Sequence, residues 1–169
     1  MAVTYEPIAS QTLGANAGTL SFTNIPGTYT DLVLVVLTGG ATASASLWCR
    51  VNSDSGTNYS FTDLRGNGTT AASSRGSSNS AALIGAGNAG SSNALDNIFM
   101  ATFQSYANTN VYKTVLGTSA TASREVGKSV ALWRSTSAIT SIAIALGGSF
   151  PSYDMLSGTT ASLYGIKAA

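Results

Sequence analysis

The chain has 169 residues, 8 Lys+Arg against 7 Asp+Glu, no histidine, one cysteine and only 9% charged residues, where an ordinary soluble domain carries about a quarter. Without histidine there is no Ser-His-Asp, Cys-His or His-metal site, and a lone Cys49 forms no internal disulfide. The length predicts a single domain, 1–169, that buries its core without staples.

In chain order the pattern is β throughout. Leu20 and Phe22 alternate with Ser and Thr in "TLSFT", and after the Pro26-Gly27 turn residues 32–37 read as a buried, Val-rich strand ended by Gly39-Gly40. Residues 46–51 alternate Leu47, Cys49 and Val51 against Trp48 and Arg50, which makes Cys49 a buried thiol. Asp54-Ser55-Gly56 reads as a tight turn between two strands. In "NYSFTDLR", Tyr59, Phe61 and Asp63 share one face. Asn67-Gly68 is a hairpin dipeptide.

Residues 69–97 differ in kind. They are rich in Ser, Gly, Ala and Asn, with Leu83-Ile84 and Leu95 as the apolar anchors, and read as a flexible loop or insertion. Strands follow at 98–107, 111–116, 126–134, 139–146 and 161–166, with β-branched and aromatic residues prominent in them. Nine or so short strands between Gly, Asn, Ser and Asp turns predict an all-β, jelly-roll-like β-sandwich with a long Gly/Ser-rich loop.

No chemical motif rises above this background. Gly85-Ala86-Gly87-Asn88-Ala89-Gly90 is a literal GxGxxG, but a Gly/Ser tract follows it where a dinucleotide site needs a helix. Asn52 to Asn58 alternates oxygen ligands, yet Asp54 is its single carboxylate where a hard cation wants several, so the stretch reads as a hairpin turn. The seven acids show no spacing that selects a glycosidase pair, and Glu125 beside Arg124 and near Lys128 reads as a solvated cluster. The sequence therefore predicts no catalytic residue, no cofactor and no metal.

The cations Arg50, Arg65, Arg75, Lys113, Arg124, Lys128, Arg134 and Lys167 are scattered, which argues against a nucleic-acid face. The densest apolar run, residues 32–37, is far short of the ~20 residues of a membrane span. Met1-Ala2-Val3-Thr4-Tyr5-Glu6 lacks the pattern of a signal peptide, which places synthesis in a cytoplasm. Trp48 and Trp133, with Tyr29, Tyr59, Tyr106, Tyr112, Tyr153 and Tyr164, are either core or a carbohydrate-stacking platform. Because Trp, Tyr and Arg are enriched at interfaces, Trp48, Arg50, Tyr59, Trp133 and Arg134 are the partner-binding candidates. Near-zero net charge and a mean hydropathy of +0.19 leave sheet edges little protected by charge. Cover in a permanent homo-oligomer is the expected remedy.

Four segments carry a resemblance: "YEPIASQTL" at 5–13, "FTNIPGTYTDLVLVV" at 22–36, "VNSDSGTNYSFTDLRGNG" at 51–68, and "VALWRSTSAITSIAIAL" with "LYGIKAA" toward the C-terminus. Together they resemble small virion structural proteins of tailed bacteriophages, notably those infecting cyanobacteria and other aquatic bacteria; similar modules end some tail-fibre polypeptides. Residues 69–97 depart from the pattern. The resemblance implies a β-sandwich or jelly-roll part of a virion, often a homotrimer, with no catalytic motif to transfer. Two roles follow: a head decoration (cement) protein bound across major capsid protein subunits, or a tail-fibre or tail accessory protein that recognises host-surface glycan. The absence of heptads, collagen-like repeats or a shaft favours decoration.

Overall fold

The computed structural model describes residues 4–39, 45–89, 95–121, 124–147, 150–151 and 153–167, and among them there is no helix. Twelve strands are present. They are β1 (Tyr5–Thr12), β2 (Leu20–Phe22), β3 (Asp31–Thr38), β4 (Ala45–Val51), β5 (Tyr59–Gly66) and β6 (Ala71–Asn79). The second half adds β7 (Ala82–Ala89), β8 (Asn97–Gln104), β9 (Lys113–Thr121), β10 (Glu125–Trp133), β11 (Ile142–Gly147) and β12 (Thr160–Ile166). An eight-stranded sheet has the order β1-β12-β3-β8-β9-β10-β5-β6, and a four-stranded sheet the order β2-β11-β4-β7. Neighbouring strands are antiparallel throughout, and the two sheets pack as a β-sandwich.

Period-2 alternation builds the core. Leu47, Cys49 and Val51 of β4 and Ile142, Ile144 and Leu146 of β11 turn inward. They join one core cluster with Leu32, Leu34 and Val36 of β3 and Phe99, Ala101 and Phe103 of β8. Cys49 is fully buried, and burial pushes its thiol pKa well above the ordinary value.

Three expectations need correction. Residues 69–97 are not a long loop: β6, β7 and the first residue of β8 occupy most of them, and only 90–94 lie outside the described residues. β6 escapes a periodicity reading because it is an outermost strand whose side chains, in AASSRGSSN, are nearly all exposed, so neither face needs apolar residues. β7 turns to small residues from Gly85 to Ala89, the GxGxxG stretch, where its backbone lies directly on the large sheet. A Cβ on Gly117 would strike the Ile84 carbonyl, and one on Gly127 the Ala86 carbonyl.

The turn after β4 is likewise no hairpin. β4 and β5 belong to different sheets, so residues 52–58 arch between layers. Asn67-Gly68 does close a hairpin, between β5 and β6, with Gly68 at φ 85. Asn67 Oδ1 there accepts from the backbone N–H of Thr69 and of Thr70. The third correction concerns Glu125, whose side chain is 11% exposed rather than solvated and whose carboxylate lies 3.8 Å from Arg65 Nε across the β5–β10 ladder, while Lys128 donates to Thr118.

Candidate functional site

The inward face of the large sheet is used by the core; its outward face is not covered by any other described part of the chain. Three cross-strand rows describe it. Leu37, Ile98, Ala120 and Val126 align across β3, β8, β9 and β10. The next row is Val35, Met100, Thr118, Lys128 and Leu64. The third is Thr102, Leu116, Val130, Thr62 and Arg75. Leu64 is 59% exposed, Val126 58%, Leu116 48% and Met100 47%. Scattered exposed apolar residues are ordinary, but a contiguous set on one flat face marks an interaction surface.

Two open hollows mark this face. One, of about 480 Å³, has Leu64, Leu116 and Val130 as its apolar lining, with Thr62, Thr118 and Lys128. The other, of about 530 Å³, shares Thr62 and Val130 and extends to Arg75 and Gly76 of β6. Over β5, β6 and β8 to β10 the face is also free of outward carboxylates, while Asp31 of β3, on the same side as Val35 and Leu37, accepts from the Ser105 backbone N–H. On β5, β6, β8, β9 and β10 the acids are Asp63 and Glu125. Asp63 is 3% exposed, accepts from Ser74 Oγ and lies 3.5 Å from Arg65 Nε. Glu125 has a side chain 11% exposed. Lys128 and Arg75 are exposed, so the surface is apolar and hydroxyl-bearing with a weakly positive potential. Chemically the face offers aliphatic side chains, threonine hydroxyls and the Lys128 and Arg75 cations. Among the described residues no three His, Cys, Asp or Glu side chains gather as a metal site, and no helix is long and apolar enough to cross a membrane.

The partner-binding candidates nominated from sequence lie elsewhere. Tyr59 and Trp133 are core residues, opposite each other where β5 pairs with β10, with ring centroids 6.4 Å apart and planes 19° from parallel. Buried so, they offer a partner no surface. Tyr59 donates to the Asp54 carbonyl at 3.1 Å, and Arg134 to the Thr57 carbonyl at 2.7 Å. These three therefore gather around the 52–58 arch and hold it. Trp48 and Arg50 point outward from the small sheet, half-buried. Trp48 meets Phe61 edge-on at 5.4 Å and donates to the Gly147 carbonyl. Arg50 donates to the Ser80 carbonyl at 2.9 Å and stacks 4.6 Å above Phe150.

Of the other tyrosines, Tyr106 is buried, and Tyr112 and Tyr153 are exposed on separate connections. The outward face went unnoticed in the sequence although a signal was there. Ile98, Met100, Leu116, Val126 and Val130 are apolar at the strand positions where a solvated face would be polar.

No family model matches this chain, and no curated protein matches it. Among solved structures, a protein of unknown function from Shewanella oneidensis MR-1 is similar at 12% identity and a TM-score of 0.22, over 98% of this chain and 71% of that one. SCLam, a non-specific endo-beta-1,3(4)-glucanase from family GH16, is similar at 9% identity and a TM-score of 0.25, over 80% of this chain and 58% of that one. Similarity this slight has no bearing on fold or function.

Proposed function

We propose that this chain is a non-enzymatic virion structural protein of a tailed bacteriophage, a head decoration (cement) protein that docks on the capsid through the outward face of its large sheet. The observation that carries the reading is that face: apolar side chains interleaved with threonines, with every carboxylate of its strands β5 to β10 turned inward or paired. A surface of that kind suits permanent contact with a capsid shell, since desolvating hydroxyls and aliphatic groups costs far less than desolvating charges.

Strand order lends further support. The runs β1-β12-β3-β8 in one sheet and β2-β11-β4-β7 in the other fit a wrapping of two Greek keys into a jelly roll, an architecture found among viral capsid and lectin domains. The hairpin β9–β10 and the pair β5–β6 then extend one sheet and widen the docking face.

Quantitative mass spectrometry of purified virions, with immunogold labelling of the particle, tests the proposal. Hundreds of copies on heads are expected, and Leu116→Lys with Val130→Glu should abolish rebinding to stripped heads. A copy number in the low tens confined to tails would overturn it.

A further inference from the structure

Each sheet of a sandwich leaves two edges whose unpaired N–H and C=O groups invite another strand, and folded proteins guard such edges. Three of the four edges here are guarded. β1 carries Pro7 and a register break between Pro7 and Ala9. β2 has three residues. β7 is pressed onto the large sheet, its Ala86 carbonyl accepting from Ser119 Oγ. β6 is different. It runs for nine residues at the end of the eight-stranded sheet, with Arg75 its one charge and Ala, Ser, Gly and Asn its other residues. Its register is regular over residues 71–76 and shifts only beyond.

The direction of its backbone groups follows from the hairpin. Asn67 N–H donates to the Thr70 carbonyl at 3.2 Å, making 67 and 70 a hydrogen-bonded pair. Antiparallel pairs alternate between bonded and non-bonded, so Ala72 and Ser74 bond to β5, while Ala71, Ser73 and Arg75 aim their N–H and C=O groups away from it.

We infer that β6 pairs antiparallel with β6 of a second copy about a two-fold axis, joining two eight-stranded sheets edge to edge. The chemistry selects this occupant. Small uncharged side chains let two such strands approach without clash, and a net charge of +1 opposes the approach little. Arg75 fixes the register: pairing it with Arg75 of the partner subunit sets like charges opposite each other, which is destabilising. The longest overlap that avoids this centres on Ser74, so that Ser73 exchanges backbone hydrogen bonds with Arg75 of the partner subunit, and the reverse. The two outward faces then adjoin across the axis, and the hollow beside Arg75 and Gly76 borders the junction. Two-fold pairing departs from the threefold assembly that the family resemblance implies, and it stands or falls independently of the virion reading.

Sedimentation equilibrium of the full chain across a concentration series, with hydrogen exchange of the β6 amides, is the test. A reversible species of twice 17.1 kDa is expected, with the Ser73 and Arg75 amides gaining protection as it forms. Ser73→Pro removes an outward N–H, a substitution tolerated on an edge strand, and Ser73→Lys sets a second cation against Arg75. Both should give monomers with an unchanged far-UV circular dichroism spectrum, and Ala9→Lys on β1 should leave the dimer intact. The proposal is overturned by a wild-type monomer at every concentration, by a species of three chains, or by a dimer that survives both Ser73 substitutions.

Discussion

The indole N–H of Trp133, at the end of β10, donates to the Asp54 carboxylate at 2.6 Å, pinning the arch between the two sheets to the large sheet. The same carboxylate accepts from the Gly56 N–H at 2.8 Å and from Asn58 Nδ2 at 2.9 Å. Burial by itself would raise the Asp54 pKa; the bonds from Trp133, Asn58 and Gly56 and the charge of Arg50 outweigh it and hold it below the ordinary carboxyl value. A carboxyl lowered in the folded state adds stability above its unfolded value, and that contribution fades as pH falls through the folded pKa. Thermal melts below pH 4 should therefore show a steeper loss for wild type than for Asp54→Asn. Asp54→Ala, which orphans the indole N–H, should cost about 1–3 kcal/mol in urea denaturation at neutral pH.

Gly117 of β9 lies opposite Ser129 of β10, and Ser119 opposite Gly127. The two glycines are the seats of β7, and the obstacle to a side chain at either is backbone, which cannot rotate away. Gly117→Ala and Gly127→Ala should each destabilise the fold by about 1–3 kcal/mol, the usual range for overpacking, in equilibrium unfolding. Gly14, with open space around it, should accept alanine with a much smaller effect.

Lys113 is fully buried at the start of β9, and its ammonium donates to the carbonyls of Asn108, Val111 and Thr136. One cation thus ties the β8–β9 connection to the segment after β10. Lys113→Met keeps the aliphatic stem but takes the donor from three part-buried hydrogen bonds, at a total cost of about 1–3 kcal/mol. Hydrogen exchange should accelerate around residues 105–112 and 134–139 before the rest of the sandwich opens.

Cys49 should resist a thiol reagent in the native protein and react stoichiometrically in denaturant, because burial both screens the sulfur and disfavours its thiolate. Prompt labelling of the folded chain would show that the small sheet opens.

The two faces of the large sheet should respond oppositely to substitution. Leu116→Lys, on the outward face, should change stability by no more than about 0.5 kcal/mol. Phe103→Ala, on the inward face at 0% exposure, should cost about 3–5 kcal/mol. Paired denaturation curves provide the comparison.

Much of this was legible from local pattern. Leu47, Cys49 and Val51 point inward as their alternation requires, Asp63 shares the buried side of β5, and Asn67-Gly68 turns a hairpin. What escaped was whatever depends on a neighbour distant in the chain. β6 lacks large apolar residues because no described strand flanks it on one side and its side chains are nearly all exposed. β7 turns to small residues from Gly85 to Ala89 where β9 and β10 lie against its backbone. Tyr59 and Trp133 have the composition of an interface and the position of a core.

By itself the sequence determined the all-β class, the places of most strands and which side of each strand is apolar, because a period of two is written in successive residues. Tertiary structure alone decided which sheet each strand joins, which edge stays open and which apolar face stays uncovered. Strand pairing is made by backbone groups that every residue shares. The choice of partner therefore rests on long-range packing, such as the seating of β7 on Gly117 and Gly127, that no local stretch of sequence encodes.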